Sequence, residues 1–174
     1  MADGRTLEVI GRMSNITTEF HAAVTSHLER LTPALVPVLR QLISQPYPPE
    51  VVHIRFEVFC DGFTDEFPVR AFFMDVDNCE HFVYVNGKAE YPTAVDPGLL
   101  EIDGVYPRSL EELFAERDSN FDYITEAGKA LVPWFAKCWL AAGGTAFALG
   151  ASIGLHDDWD RYDLVSGEWS KEPS

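Results

Sequence analysis

Two stretches in the first half of the chain alternate apolar and polar residues so regularly that they admit one reading. In VVHIRFEVFC, Val52, Ile54, Phe56, Val58 and Cys60 fall on one side and His53, Arg55 and Glu57 on the other. A period of two is that of an extended strand with one covered face. After the turn-forming DGFTDE, the stretch FPVRAFFMDVD repeats the pattern with Phe67, Val69, Ala71 and Phe73 inward, so the two pair as a hairpin. The turn DNCE and then HFVYVNGK, which ends in the turn dipeptide Asn86-Gly87, predict a third short strand.

The cover for these strands comes from helical segments on either side. Leu7, Ile10, Met13, Phe20, Val24, Leu28, Leu31, Leu35, Leu39 and Leu42 recur at helical spacing. Thr32-Pro33 marks a break near Leu31, with Thr32 as cap and Pro33 in the first turn of a second helix that Pro37 kinks or shortens. PYPPE, residues 46–50, then ends the helix. Residues 89–108, rich in Pro and Gly, read as a connecting loop. SLEELF opens a short helix through a capping box between Ser109 and Glu112. A longer helix runs from Phe121 to Ala142, interrupted at Pro133 and stopped by Gly143-Gly144. In the tail, ALGASIG lets the backbone pass close to other elements, and YDLVSGEW reads as a strand followed by a Ser-Gly turn. These elements specify a single α+β domain over residues 1–174. It consists of N-terminal helices, an antiparallel β-meander of three or more strands, a C-terminal helix, and a tail strand packing back on the sheet.

A length of 174 residues suits one core, and 47% hydrophobic with 24% charged residues suits an ordinary folded protein. No run approaches the ~20 apolar residues of a membrane span and the N-terminus has no signal-peptide pattern, so a cytoplasmic location is expected. Cys60, Cys79 and Cys138 form no CxxC pair and are expected as buried, reduced thiols.

Charge separates the possible partners. The net value is -15, and residues 1–50 carry five acids against four bases while residues 51–174 carry twenty-three against nine. Such a surface repels phosphate backbones and excludes nucleic acid as a direct ligand. It serves solubility alone, or it steers a basic protein partner.

Candidate chemistry is sparse. His156-Asp157-Asp158 could seat a metal or an acid–base pair, but a metal site of that type needs further histidines, and adjacent aspartates also suit a turn that binds its own amides. DVDNCEH, residues 75–81, offers several donors yet lacks the glycine and glutamate positions of a calcium loop. No nucleophile elbow, dinucleotide fingerprint or phosphate-binding loop is recognised, and no cofactor is expected. Recognition is the better-supported chemistry. FDYITE, HDDWDRYD and GEW set aromatic rings among acids, combining rigid contact area with charge. Trp134 and Trp139 belong to the core side of the long helix, whereas Trp159 is expected to be exposed. The predicted partner-binding residues are Asp157, Asp158, Trp159, Asp160 and Asp163.

The order WFAKCWLAAGG, a short glycine-containing apolar run, and then HDDWDRYDLVSGEW resembles the tail of small bacterial proteins of the toxin-immunity type over about the last forty residues. The resemblance implies a cytoplasmic antitoxin that acts by stoichiometric binding. The expected function is therefore that of a non-enzymatic acidic binding protein, most concretely an immunity protein occluding a basic toxin such as a nuclease. The alternative is a small hydrolase or metal-dependent enzyme centred on His156 with Asp157 or Asp158.

Overall fold

The computed structural model of the chain describes residues 4–95 and 97–171, with residues 4–14 described as backbone only. Helix α1 spans Gly4–Glu29 and α2 spans Thr32–Ser44. Phe20, Val24 and Leu28 on the first, and Leu35, Leu39 and Leu42 on the second, are completely buried, as a helical stripe facing the core must be. The side chains of Leu7, Ile10 and Met13 lie outside the described residues. The break falls where Thr32-Pro33 predicts it, but Leu31 holds the cap position and no side chain caps α2. Thr32 Oγ1 instead accepts the Trp134 indole N–H at 3.0 Å, which gives a buried indole its partner.

The predicted hairpin forms from β1, His53–Val58, and β2, Val69–Met74. Ile54, Phe56, Val58, Val69, Ala71 and Phe73 are all completely buried. Two residues expected on that face depart from it: Val52 precedes the strand and is exposed, and Cys60 lies beyond it in a half-buried 3-10 turn. The third predicted strand does not extend this hairpin. β3, Val83–Val85, pairs with β4, Lys88–Glu90, in a separate two-stranded sheet. Asn86 and Gly87 both adopt positive φ, so a two-residue turn closes β3 onto β4 locally. Closing so short a loop costs little entropy, so the local pairing forms readily.

Helix α3, Arg108–Arg117, begins one residue before the expected capping serine. Pro107 occupies the cap position, so Ser109 lies inside the first turn and the capping box does not form. Helix α4, Tyr123–Ala142, runs through Pro133 without interruption. That proline lies on the exposed side, where solvent can take the carbonyl that loses its amide partner. The predicted stop holds: Gly143, at φ 99°, caps the helix and its N–H reaches the Leu140 carbonyl at 3.0 Å.

The tail supplies three strands: β5, Gly150–Leu155, β6, Asp160–Asp163, and β7, Trp169–Lys171. They continue the sheet in the order β2-β1-β5-β6-β7. β5 lies parallel to β1 and the remaining pairs are antiparallel, so the meander of the main sheet is β5-β6-β7. Helices and sheet share one core. Phe56 of β1 meets the rings of Phe135 and Trp139 on α4 at 4.9 and 5.7 Å, and α1 and α2 pack against the same helix. Burying each such ring is worth on the order of 1.5–3 kcal/mol. α4 lies so close to β5 that a Cβ on Gly128 would come within 2.6 Å of Leu155. Among the described residues no helix is long and apolar enough to cross a membrane.

Candidate functional site

The side of the sheet turned away from these helices is polar but not bathed in solvent. Glu57 at its centre is 6% exposed and Arg161, from β6, is 8% exposed. Arg161 Nη2 donates to Glu57 Oε1 at 2.9 Å, and its Nη1 donates to the Leu155 carbonyl at 2.9 Å. The neighbouring strand makes this possible. A Cβ at Gly154 would collide with the Arg161 guanidinium and lie 2.7 Å from the Asp160 carbonyl, so only glycine lets the arginine lie flat across β5. Arg55 Nε stands 3.9 Å from the same glutamate oxygen while its guanidinium donates to Asn78. On the other side of Glu57, His156 Nδ1 stands 3.8 Å from Oε2, its ring packed at a tilt against Phe59 with centroids 4.3 Å apart. Two buried charges that answer each other directly are tolerated where either alone would be costly.

His156 opens the loop between β5 and β6. Its backbone N–H donates to the Val58 carbonyl at 2.9 Å, and Asp158 N donates to Leu155 O at 3.2 Å, so the loop is short and tied at its base. Asp157 is left-handed, at φ 65°, with its side chain 90% exposed. Asp158 Oδ1 accepts the Asp160 N–H at 3.3 Å. Trp159 is 62% exposed, as expected. Asp157, Asp158, Trp159 and Asp160 thus share one outward rim. Asp163, grouped with them on sequence grounds, sits at the far end of β6. Its Oδ1 accepts the Val165 and Ser166 N–H groups at 2.8 and 2.7 Å. Partial burial works against its charge, but those amide bonds and the nearby His53 hold its pKa below the usual carboxylate value.

Beneath the rim lies a hollow of about 340 Å³, floored by Glu57 and Arg161 and walled by His156, Asp158 and Trp159. Arg55, Glu57 and His156 also wall a smaller cavity of about 190 Å³ that reaches Phe72, Met74 and Glu80. The two depressions share Arg55, Glu57 and His156 in their lining.

The other motifs resolve into structure. Asp75 Oδ1 accepts the Asp77 and Cys79 N–H groups at 2.9 Å, so DVDNCEH folds as a self-bonded turn. Within FDYITE, Asp122 caps α4 through Thr125 N at 3.0 Å, while Glu126 bonds His21 of α1 at 2.7 Å and Lys129 at 2.8 Å. Among the described residues, no three His, Cys, Asp or Glu side chains gather as metal ligands would. The cysteines are free, but Cys79 is exposed rather than buried, because it sits in the solvent-facing turn after β2. Burial, with Asp61 and Asp122 nearby, pushes the half-buried Cys60 thiol up to about 11.

One pattern escaped the sequence reading. Gly150-Ala-Ser-Ile-Gly154 spells G-x-S-x-G, and Ser152 Oγ lies 2.7 Å from His53 Nε2. The string runs along an extended strand paired on both sides, not through the strand-to-helix elbow that would expose a nucleophile. The feature of this face that sequence reasoning missed is the buried Glu57–Arg161 pair. Its trace in the sequence is the glycine alternation in β5, which leaves room for long side chains to cross the strand. Comparison with family models, curated proteins and solved structures finds no match to the chain.

Proposed function

We propose that the chain is a non-enzymatic binding protein that receives a basic protein on the rim and recess of its polar sheet face, most concretely an immunity protein that neutralises a basic toxin by occlusion. One observation carries this reading: Trp159, 62% exposed and ringed by exposed aspartates, stands on a short tied loop at the mouth of the recess. A large aromatic left open to water on a well-anchored loop is the kind of group that dominates binding energy when a partner covers it. The surrounding carboxylates suit lysines and arginines. The test is to look for a secreted effector encoded beside this chain and to measure rescue of growth in cells producing it. The chain should restore growth. W159A and the double variant D158K/D160K should lose protection while remaining folded. Full protection by both variants would remove the rim from the interface.

The hydrolase alternative shifts from His156 to Ser152, where the 2.7 Å contact with His53 is the one observation in its favour. Under that reading a fluorophosphonate probe labels Ser152 and H53A abolishes labelling. Ser152 is only 8% exposed and its main chain is committed to two ladders, so we expect no labelling.

A further inference from the structure

The β3–β4 hairpin stands apart from the main sheet on a base of packed rings: Phe82 meets Tyr91 at 5.1 Å, and Tyr91 meets Phe73 of β2 at 6.2 Å. Beyond that base, residues 84–90 are all exposed, Tyr84 by 77%, and a Cβ added at Gly87 would touch nothing. The turn decides which backbone groups the hairpin uses. Asn86 and Gly87, both at positive φ, make a two-residue turn whose flanking pair, Val85 and Lys88, exchanges hydrogen bonds. Alternation along an antiparallel ladder then turns the N–H and C=O of Ala89 away from β3. Among the described residues no hydrogen bond reaches these two groups. Two strands alone are marginal in water, and an open edge is a template for a further strand.

We infer that β4 is a contact between two copies of this chain, paired antiparallel about a two-fold axis at Ala89. In such a contact the same residues meet in both directions. Ala89 exchanges its outward N–H and C=O with its counterpart, and Lys88 of each copy stands opposite Glu90 of the other, so both flanking pairs join opposite charges. Register follows from the same charges: an axis at Lys88 or at Glu90 would set like charges face to face. The result is a four-stranded sheet across the axis. Tyr84 lies opposite Ala89 within each hairpin, so the small alanine pair at the centre leaves room for an exposed ring to settle from either side. The strand itself is neutral, and the remaining charge of the chain is screened over ~8 Å at physiological salt. A strand pair this short buries less than the ~1,200 Å² at which stable interfaces begin, so the dimer is weak and reversible. It uses none of the rim residues and is independent of the proposed toxin partner.

Sedimentation equilibrium of the full chain at physiological salt tests the contact. The dimer should be scarce at ~10 µM and substantial at ~1 mM, the range of a weak complex. K88E and E90K should each weaken it ~10-fold or more, since each turns two attractive pairs into repulsive ones. These two substitutions move the net charge in opposite directions, so a common loss is not an effect of net charge. K88E/E90K restores opposite pairs and should restore the dimer, and a mixture of the two single variants should pair with each other in preference to themselves. A89P should abolish the dimer while leaving the hairpin in place, because its lost N–H faces outward from the ladder; far-UV and near-UV circular dichroism like the parent's confirms the fold. A chain that stays monomeric up to ~1 mM overturns the inference, as does a dimer that persists in A89P or that the double charge swap fails to restore.

Discussion

Glu57 shows what one residue can demand of a fold. Its carboxylate sits in the middle of a sheet, and its closest cation comes from a strand 104 residues later in the chain. Removing that cation leaves a buried charge without its closest partner, which costs ~3–5 kcal/mol, whereas removing both charges leaves an apolar pair that costs far less. R161M should therefore lower the urea midpoint sharply, and E57L/R161M should recover most of the loss. An R161M midpoint equal to the parent's would mean that Arg55 and His156 suffice to hold the carboxylate. The sequence shows Glu57 on the polar side of an alternating strand, but alternation reports only which side chains point away from the core. Whether that side is wet depends on residues from β5 and β6, a long-range fact that no local pattern encodes.

At the level of elements, legibility followed the strength of the local signal. β1, β2, the break between α1 and α2, and the stop at Gly143 rest on periodicity, a Pro step and a left-handed glycine, and all stand where the sequence puts them. Four of the six residues of β5 are Gly, Ala or Ser, which have little intrinsic strand preference, and its place beside β1 comes from packing under α4. Its parallel pairing was equally hidden, since a period of two says which face is covered and not which strand lies alongside. The exposed rim was legible because exposed acids around a tryptophan are a surface signal, while the place of Asp163 apart from it was not, because its turn bonds depend on Val165 and Ser166. The cap of α4 gives an element-scale test. Bonds from Thr125 hold the Asp122 pKa below the usual 3.8, so the cap's contribution is present above that value and is lost as pH falls through the folded-state pKa. D122A should cost ~1 kcal/mol at neutral pH by thermal unfolding, and the gap to the parent should close in acid below the folded-state pKa. D122N should keep most of the cap at every pH. A D122A deficit that persists unchanged at low pH would assign the loss to packing and not to the carboxylate.

The whole molecule carries its excess of acids after residue 50, and among them those of the rim are exposed and unburdened by core duties. Opposite charges at separations beyond a few ångströms act mainly on encounter, because they are screened over a Debye length of ~8 Å at physiological salt, whereas contacts made after docking are screened much less. A basic partner should therefore associate at least ~10-fold more slowly in high salt than in low salt, with dissociation changing little. The two substitutions at the rim should separate along the same line. W159A removes buried contact area and should speed dissociation, while D158K/D160K inverts the local field and should slow association and flatten its salt dependence. Stopped-flow mixing of the chain with such a partner at a series of salt concentrations reads both rates at once. Rates that ignore salt and both substitutions would place the interface away from the polar sheet face, and would leave the net charge of -15 to solubility alone.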